Sequence, residues 1–184
     1  VWANVSNTPF RYYKSFVHEG GISTPLIVHW PAGISKSKHG SFIENFGTVL
    51  DFMPTCLELA EAKYPAEWDG QTIHPMVGKS LVPLITTDDA PIHADPVFWE
   101  HEGNRAMREG PWKLVWAKDG PWELYDLSKD RTEMNNLVEK MPDRFARMKR
   151  IWESWARRTG VQFQTKFDYH IMIDDYIKEQ EGER

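Results

Sequence analysis

Asn7-Thr8-Pro9-Phe10-Arg11-Tyr12-Tyr13-Lys14-Ser15-Phe16-Val17-His18-Glu19-Gly20-Gly21-Ile22-Ser23-Thr24-Pro25-Leu26-Ile27-Val28-His29-Trp30-Pro31 is a cation-bearing loop that runs through a double glycine into an apolar segment. Two adjacent glycines admit backbone angles closed to other residues and let another group come close to the main chain. Pro25-Leu26-Ile27-Val28-His29-Trp30 reads as a short buried strand stopped by Pro31 and Gly33. Lys14 carries a compact charge on a flexible stem, placed where a loop aims it at a phosphate, sulfate or carboxylate.

Beyond this strand, Thr48 is an N-cap for a helix whose apolar residues Val49, Leu50, Phe52, Met53, Cys56, Leu57 and Ala60 recur at helical spacing, with Pro54 as an interior irregularity. Cys56, the single cysteine, is expected there as a small buried hydrophobe. A Pro/Asp-rich boundary follows at Thr86-Thr87-Asp88-Asp89-Ala90-Pro91.

After the boundary, Pro96–Glu100, Asn104–Arg108, Trp112–Trp116 and Glu123–Leu127 have strand character. Gly103, Glu109-Gly110-Pro111 and Lys118-Asp119-Gly120-Pro121 divide them with turn chemistry. Four strands joined by short turns predict an antiparallel meander. Trp112, Leu114 and Trp116 fall on one face of their strand, Lys113 and Val115 on the other. A long amphipathic helix comes next, with Pro142 near its first turn, Phe145, Met148, Ile151, Trp152 and Trp155 along one stripe, and Gly160 just past its end. That stripe should cover one face of the small sheet.

A chain of 184 residues buries about 70% of its unfolded surface, enough for a substantial core. The net charge of −5 and the lack of a basic stripe argue against a nucleic-acid partner. The longest apolar runs fall short of the roughly 20 residues needed to span a bilayer, so no membrane partner is expected. Asp88-Asp89 and Asp174-Asp175 are adjacent acids without strand-end context and read as surface charge; no metal ligand is assigned in the chain.

The opening stretch resembles the lysine loop of the sulfatase family, matching a long gapless pattern that includes Asn7, Pro9, Phe10, Arg11, Lys14, Glu19-Gly20-Gly21 and Pro25. Arg105-Ala106-Met107-Arg108-Glu109-Gly110-Pro111-Trp112-Lys113-Leu114 and Glu123-Leu124-Tyr125-Asp126-Leu127, with Asp130, Glu133, Asn136 and Leu137, are similar to the family's carboxy-terminal subdomain. The resemblance covers about residues 4–161 and implies a mixed α/β chain, α+β within this segment. Residues 1–87 would close a sulfatase-type α/β sheet domain. Residues 88–161 would form a small four-stranded antiparallel sheet packed on a carboxy-terminal helix, and residues 162–184 a tail.

The resemblance further implies that Lys14 contacts the sulfate group of a sulfated small molecule or glycan, with Glu19, Gly20 and Gly21 shaping the loop behind it. His18, four residues on, is a candidate substrate contact or a structural histidine. His101, Asn104 and Arg105, at the tip of a hairpin, are candidate substrate contacts through hydrogen bonds and a planar cationic fork. Sulfate-ester hydrolysis in this family uses formylglycine and calcium, and Thr55-Cys56-Leu57 lacks the proline and arginine of the formylglycine motif. Both groups are therefore expected from a longer parent, the chain alone should not turn over substrate, and a bacterial parent would be periplasmic or extracellular. Open alternatives are a non-catalytic carbohydrate- or protein-binding module on the same framework, and part of a related phosphonate or phosphodiester hydrolase. Self-association through exposed apolar surface is also expected of the chain in isolation.

Overall fold

The computed structural model describes residues 2–86 and 91–162. The chain divides into two compact units, Val1–Ser23 with Pro96–Arg184, and Thr24–Asp95. The adjacent acids Asp88-Asp89 and Asp174-Asp175, and all but the first residue of the expected tail, lie outside the described residues. In chain order the elements are α1 (Trp2–Ser6), α2 (Glu19–Ile22), α3 (Phe52–Leu59), β1 (Glu67–Trp68), β2 (Gln71–Thr72), α4 (Val82–Thr86), β3 (Val97–His101), β4 (Asn104–Glu109), β5 (Trp112–Trp116), β6 (Trp122–Asp126) and α5 (Pro142–Thr159).

The first unit is built on the antiparallel meander β3-β4-β5-β6. Its strands form where alternation and turn residues placed them. The β3–β4 turn, Glu102-Gly103, has φ of 52° and 88°, the doubly left-handed geometry that suits the twist of a two-residue hairpin. Helix α5 starts with Pro142, whose missing N–H costs nothing in a first turn, and stops at Gly160, which takes φ 74° as only glycine does freely. Met148, Trp152 and Ala156, spaced by one helical turn, pack on Met107, Leu114 and Leu124 of the sheet, and all six are fully buried.

The opposite face of the sheet is covered as well. Ala106, Val115 and Tyr125 pack with Val17 and Leu127, flanked by Ile22 and Trp99. The amino-terminal segment supplies this second layer, which is why residues 1–23 group with the meander and not with the segment that follows them. Lys113 lies on this covered face and is 0% exposed.

In the second unit the buried Asp51 carboxylate organises the backbone. It accepts from Thr48 N–H at 2.5 Å, the Thr48 hydroxyl at 3.1 Å, Lys79 N–H at 2.8 Å and lies 2.8 Å from His93 Nε2. Thr48 caps a short 3-10 turn, Val49–Asp51, that leads into α3. That lead-in puts Pro54 at the third residue of α3, where its absent N–H had no intrahelical partner to lose. Two expectations are corrected here. Residues 25–30 belong to no described strand, and Leu26, Ile27 and Val28 are 55%, 90% and 42% exposed, because a strand exists only through a paired neighbour and none of the described strands adjoins them. Cys56 is exposed, since α3 turns Pro54 and Thr55 inward and leaves Phe52, Met53 and Cys56 outside. No described helix is long and apolar enough to cross a membrane.

Candidate functional site

The loop from Arg11 to His18 is held to the meander at both ends. At its start, Arg11 Nη1 donates to Tyr125 Oη at 2.8 Å and to the Glu133 carbonyl at 2.5 Å, and lies 3.4 Å from Glu123 Oε2. At its end, His18 Nε2 meets the same Glu123 Oε2 at 2.8 Å, and the Tyr125 hydroxyl donates to that oxygen at 2.8 Å. Glu123 and Tyr125 are two residues apart on β6, so both point to the loop-covered face. Burial alone would raise the Glu123 carboxyl, but hydrogen bonds from His18 and Tyr125, with the charges of His18 and Arg11, outweigh it and hold the group below the ordinary carboxylate range. Burial and the same Glu123 hydrogen bond push the Tyr125 phenol far above its usual value, which keeps it a proton donor at any physiological pH.

A second set of charges lies beneath α2. Lys113 Nζ pairs with Glu19 Oε1 and with Glu133 Oε1, each at 2.8 Å, and Glu19 N–H donates to Glu133 Oε2 at 2.7 Å. A buried ammonium is expensive unless it is paired, and two carboxylates satisfy this one. The double glycine completes the seat. A Cβ on Gly20 would run into the carbonyl oxygens of Arg11 and Tyr12, and one on Gly21 into that of Phe16. Neither glycine has a positive φ, so close approach and not conformational freedom explains the pair.

Between these anchors the loop turns tightly. Phe16 N–H donates to the Tyr13 carbonyl at 3.0 Å, and Ser15 takes φ 86°, so Lys14 occupies the second position of a four-residue turn. Tyr12, with φ 64°, stacks its ring on Phe16 at 4.4 Å and leans on His18 at 4.6 Å. Two left-handed non-glycine residues cost roughly 1–2 kcal/mol each, a strain the flanking anchors offset. Lys14 is left exposed, with no hydrogen bond or ion pair among the described residues.

The hairpin residues divide. Asn104 is 5% exposed, and its amide nitrogen donates to the Ser15 carbonyl at 2.9 Å and to the His101 carbonyl at 3.1 Å, while its oxygen accepts from Lys118 N–H at 3.0 Å. It clasps the lysine loop. His101 pairs with Asn104 in the β3–β4 register and therefore shares its face, with its ring exposed. Arg105 lies on the other face, its guanidinium 4.2 Å over the Trp116 ring and 5.4 Å over that of Trp152. Lys14, Asn104 and His101 thus share one end of one sheet face, Arg105 faces α5, and His18 is a fully buried anchor. Sequence reasoning overlooked Arg11, Lys113, Glu123, Tyr125 and Glu133 as members of the site. Their signal was a polar ladder, Glu123 and Tyr125 on β6 with Lys113 directly opposite Tyr125, on strands otherwise rich in apolar residues. No group of three or more His, Cys, Asp or Glu side chains that would hold a metal ion occurs among the described residues.

Comparison with known proteins bears on this site. The family described as N-sulphoglucosamine sulphohydrolase, C-terminal, matches residues 10–154. An uncharacterized sulfatase of Schizosaccharomyces pombe is 35% identical over 188 residues, covering 98% of this chain and 32% of that protein. Arylsulfatase K of Danio rerio is 28% identical over 142 residues, covering 72% of this chain and 25% of that protein. The chain thus spans about a third or less of the length of these relatives. Among solved structures, Ps i-CgsB aligns with a TM-score of 0.68 at 24% identity, over 82% of this chain and 32% of its own, a likeness of fold.

Proposed function

Because the chain belongs to the N-sulphoglucosamine sulphohydrolase C-terminal family, we propose that it serves a sulfuric ester hydrolase acting on aryl or carbohydrate sulfates, and that Lys14 is its contact with the sulfate group. The observation that carries this reading is the exposed Lys14, without a partner among the described residues, at the tip of a loop fixed at both ends by the hydrogen bonds of Arg11 and His18 to β6 and braced by the buried Lys113–Glu19 pair. A loop backbone held this way presents the ammonium from a fixed position, and only the lysine side chain is left to be ordered by an anion. At 4 Å such a pair is worth about 1 kcal/mol in bulk water and about 4 kcal/mol at an effective dielectric of 20, so Lys14 acts most strongly once bound substrate excludes solvent.

The geometry supports a division of labour. Arg11, His18 and Glu19 hold the loop, Asn104 fixes the carbonyl next to Lys14, and His101 offers a hydrogen bond to a substrate hydroxyl. The nucleophile and the cation implied by the resemblance, formylglycine and calcium, would come from residues other than these, and they supply the bond-breaking chemistry when present. This chain alone would accordingly bind but not cleave.

The test is hydrolysis of para-nitrophenyl sulfate by a longer gene product that contains this sequence. Lys14→Ala is expected to lower kcat/KM on the order of a hundredfold, the usual cost of deleting one donor to a developing charge. Wild-type kinetics in that variant would remove Lys14 from the reaction. Retention of sulfated sugars without any turnover would favour the non-catalytic module.

A further inference from the structure

We propose that the solvent face of α5 is a binding surface for a sulfated polysaccharide, tethering a polymeric substrate while Lys14 engages the sulfate to be cleaved. This rests on the sulfatase reading above and adds a polymer tether outside the lysine-loop site. The 18 residues of α5 hold six Arg or Lys against two Asp or Glu, a net charge of +4 in a chain of net −5. In sequence these cations are interleaved with core residues, and winding the helix gathers them. With about 100° between successive residues, Arg147, Arg150, Arg157 and Arg158 fall within an arc of about 100° and along about 17 Å of helix, on the side away from the buried Met148, Trp152 and Ala156. All four are exposed.

Most of this charge is not taken up within the protein. The side chains of Arg150, Arg157 and Arg158, and of Lys140 just ahead of the helix, have no ion pair or hydrogen bond among the described residues. Of the nearby acids, Glu153 lies 3.8 Å from Lys149, and Glu109 holds Arg147 through both of its oxygens. Arg144 lies with its guanidinium 4.1 Å over the Trp112 ring. With Lys140, these two held arginines border an open groove of about 670 Å³ at the amino-terminal end of the stripe. Guanidinium forks pair with oxyanions through two parallel N–H donors, and clustered basic residues are the electrostatic footprint of a heparin-like polyanion. The negative charge of the chain as a whole disfavours nucleic acid, whereas the proposed reaction itself calls for a sulfated carbohydrate. Helix α5 covers one face of the meander and the amino-terminal segment the other, so a short sulfated sugar at Lys14 leaves the stripe empty and a long chain engages both. Holding the polymer raises the effective concentration of its sulfates at the site.

The test neutralises the stripe in the longer gene product, at exposed positions that touch neither the core nor the lysine loop. Arg150→Gln, Arg157→Gln and Arg158→Gln together should weaken binding of dextran sulfate about tenfold or more at an ionic strength of about 0.15 M. Arg150→Lys, Arg157→Lys and Arg158→Lys together keep the charge and should keep most of the binding. Hydrolysis of para-nitrophenyl sulfate, too small to reach α5 from Lys14, should be the same in both variants as in wild type. Wild type should also prefer long dextran sulfate to a sulfated disaccharide, a preference the Gln variant should lose. Equal binding of dextran sulfate by wild type and the Gln variant overturns the proposal and leaves the sulfatase reading intact. Equal affinity of wild type for duplex DNA at the same salt overturns it as well, because the stripe is then a general polyanion surface. Absence of para-nitrophenyl sulfate turnover by wild type overturns the sulfatase reading instead, and the ratio of dextran sulfate affinities between wild type and the Gln variant still decides the stripe.

Discussion

In the unit formed by Val1–Ser23 and Pro96–Arg184, a lysine, a histidine and two glutamates are almost wholly buried; in Thr24–Asp95, Ile27 is 90% and Phe42 97% exposed. Hydropathy would have assigned the two sets the other way round. What differs is partnership. The meander has a layer on each face, so its polar residues meet partners at 2.8 Å, while in the second unit Leu81 and Leu84 are buried but Ile27 and Phe42 remain largely exposed. Burial follows from what a residue is packed against, and charge is compatible with a core wherever the neighbours satisfy it.

The sharpest way to break this comparison is Lys113→Met. Removing the cation leaves Glu19 and Glu133 facing each other without compensation, and the first unit should lose about 3–5 kcal/mol in urea unfolding. Glu19→Gln on that background should return part of it. A loss below about 1 kcal/mol would mean that the triad contributes little, and that the apolar layer alone holds the loop.

Asp51→Ala probes the other unit. Its carboxylate serves two backbone N–H groups, a hydroxyl and an imidazole, and hydrogen bonds to a charged acceptor contribute about 1.5–3 kcal/mol. Amide exchange should accelerate at Lys79 and Leu81 and stay unchanged in β4 and β5. Acceleration in both places would show that the units unfold as one.

A smaller effect separates the units by pH. Burial would raise the Asp51 carboxyl, but the Lys79, His93 and Thr48 hydrogen bonds prevail and lower it; Glu123 is lowered in the same sense. A carboxyl whose folded value lies below its unfolded one adds stability above the unfolded value, and that stability is lost as pH falls through the folded value. Both units should therefore weaken below about pH 4. Asp51→Asn should flatten that acid arm in the second unit only, as followed by amide exchange between pH 5 and pH 3 as an order-of-magnitude window.

The smallest effect belongs to Cys56. Lying exposed on α3, it should react with a thiol reagent in the folded protein, and Cys56→Ser should change stability by no more than about 0.5 kcal/mol. A thiol protected until unfolding would restore the expectation that it is buried.

The meander and α5 were legible from sequence because their signals are local: alternation in Trp112–Trp116, turns at Gly103 and Gly110, Pro142 and Gly160 bracketing the helix. Lys14, the proposed sulfate contact, stands out in sequence through its motif. The burial of Lys113 was not legible, since its partners Glu19 and Glu133 come from distant parts of the chain and no window of sequence joins them. Nor was the separation of Arg105 from its neighbours: His101 and Asn104 belong to the opposite face, because the face of a strand residue is set by parity, not proximity. Residues 25–30 show the converse failure, an apolar run whose strand pairing no local pattern supplies.

The two-ended attachment of the lysine loop also bears on how such a site changes over generations. Arg11 and His18 carry the mechanical link to β6, and Tyr13-Lys14-Ser15 projects between them as a cassette. Mutations in the cassette can therefore be sampled by selection without disturbing the fold, provided the third position tolerates φ near 86°, which glycine and asparagine do. A library confined to these positions would alter chemistry while leaving the scaffold as it is, and the anchors mark where that freedom ends.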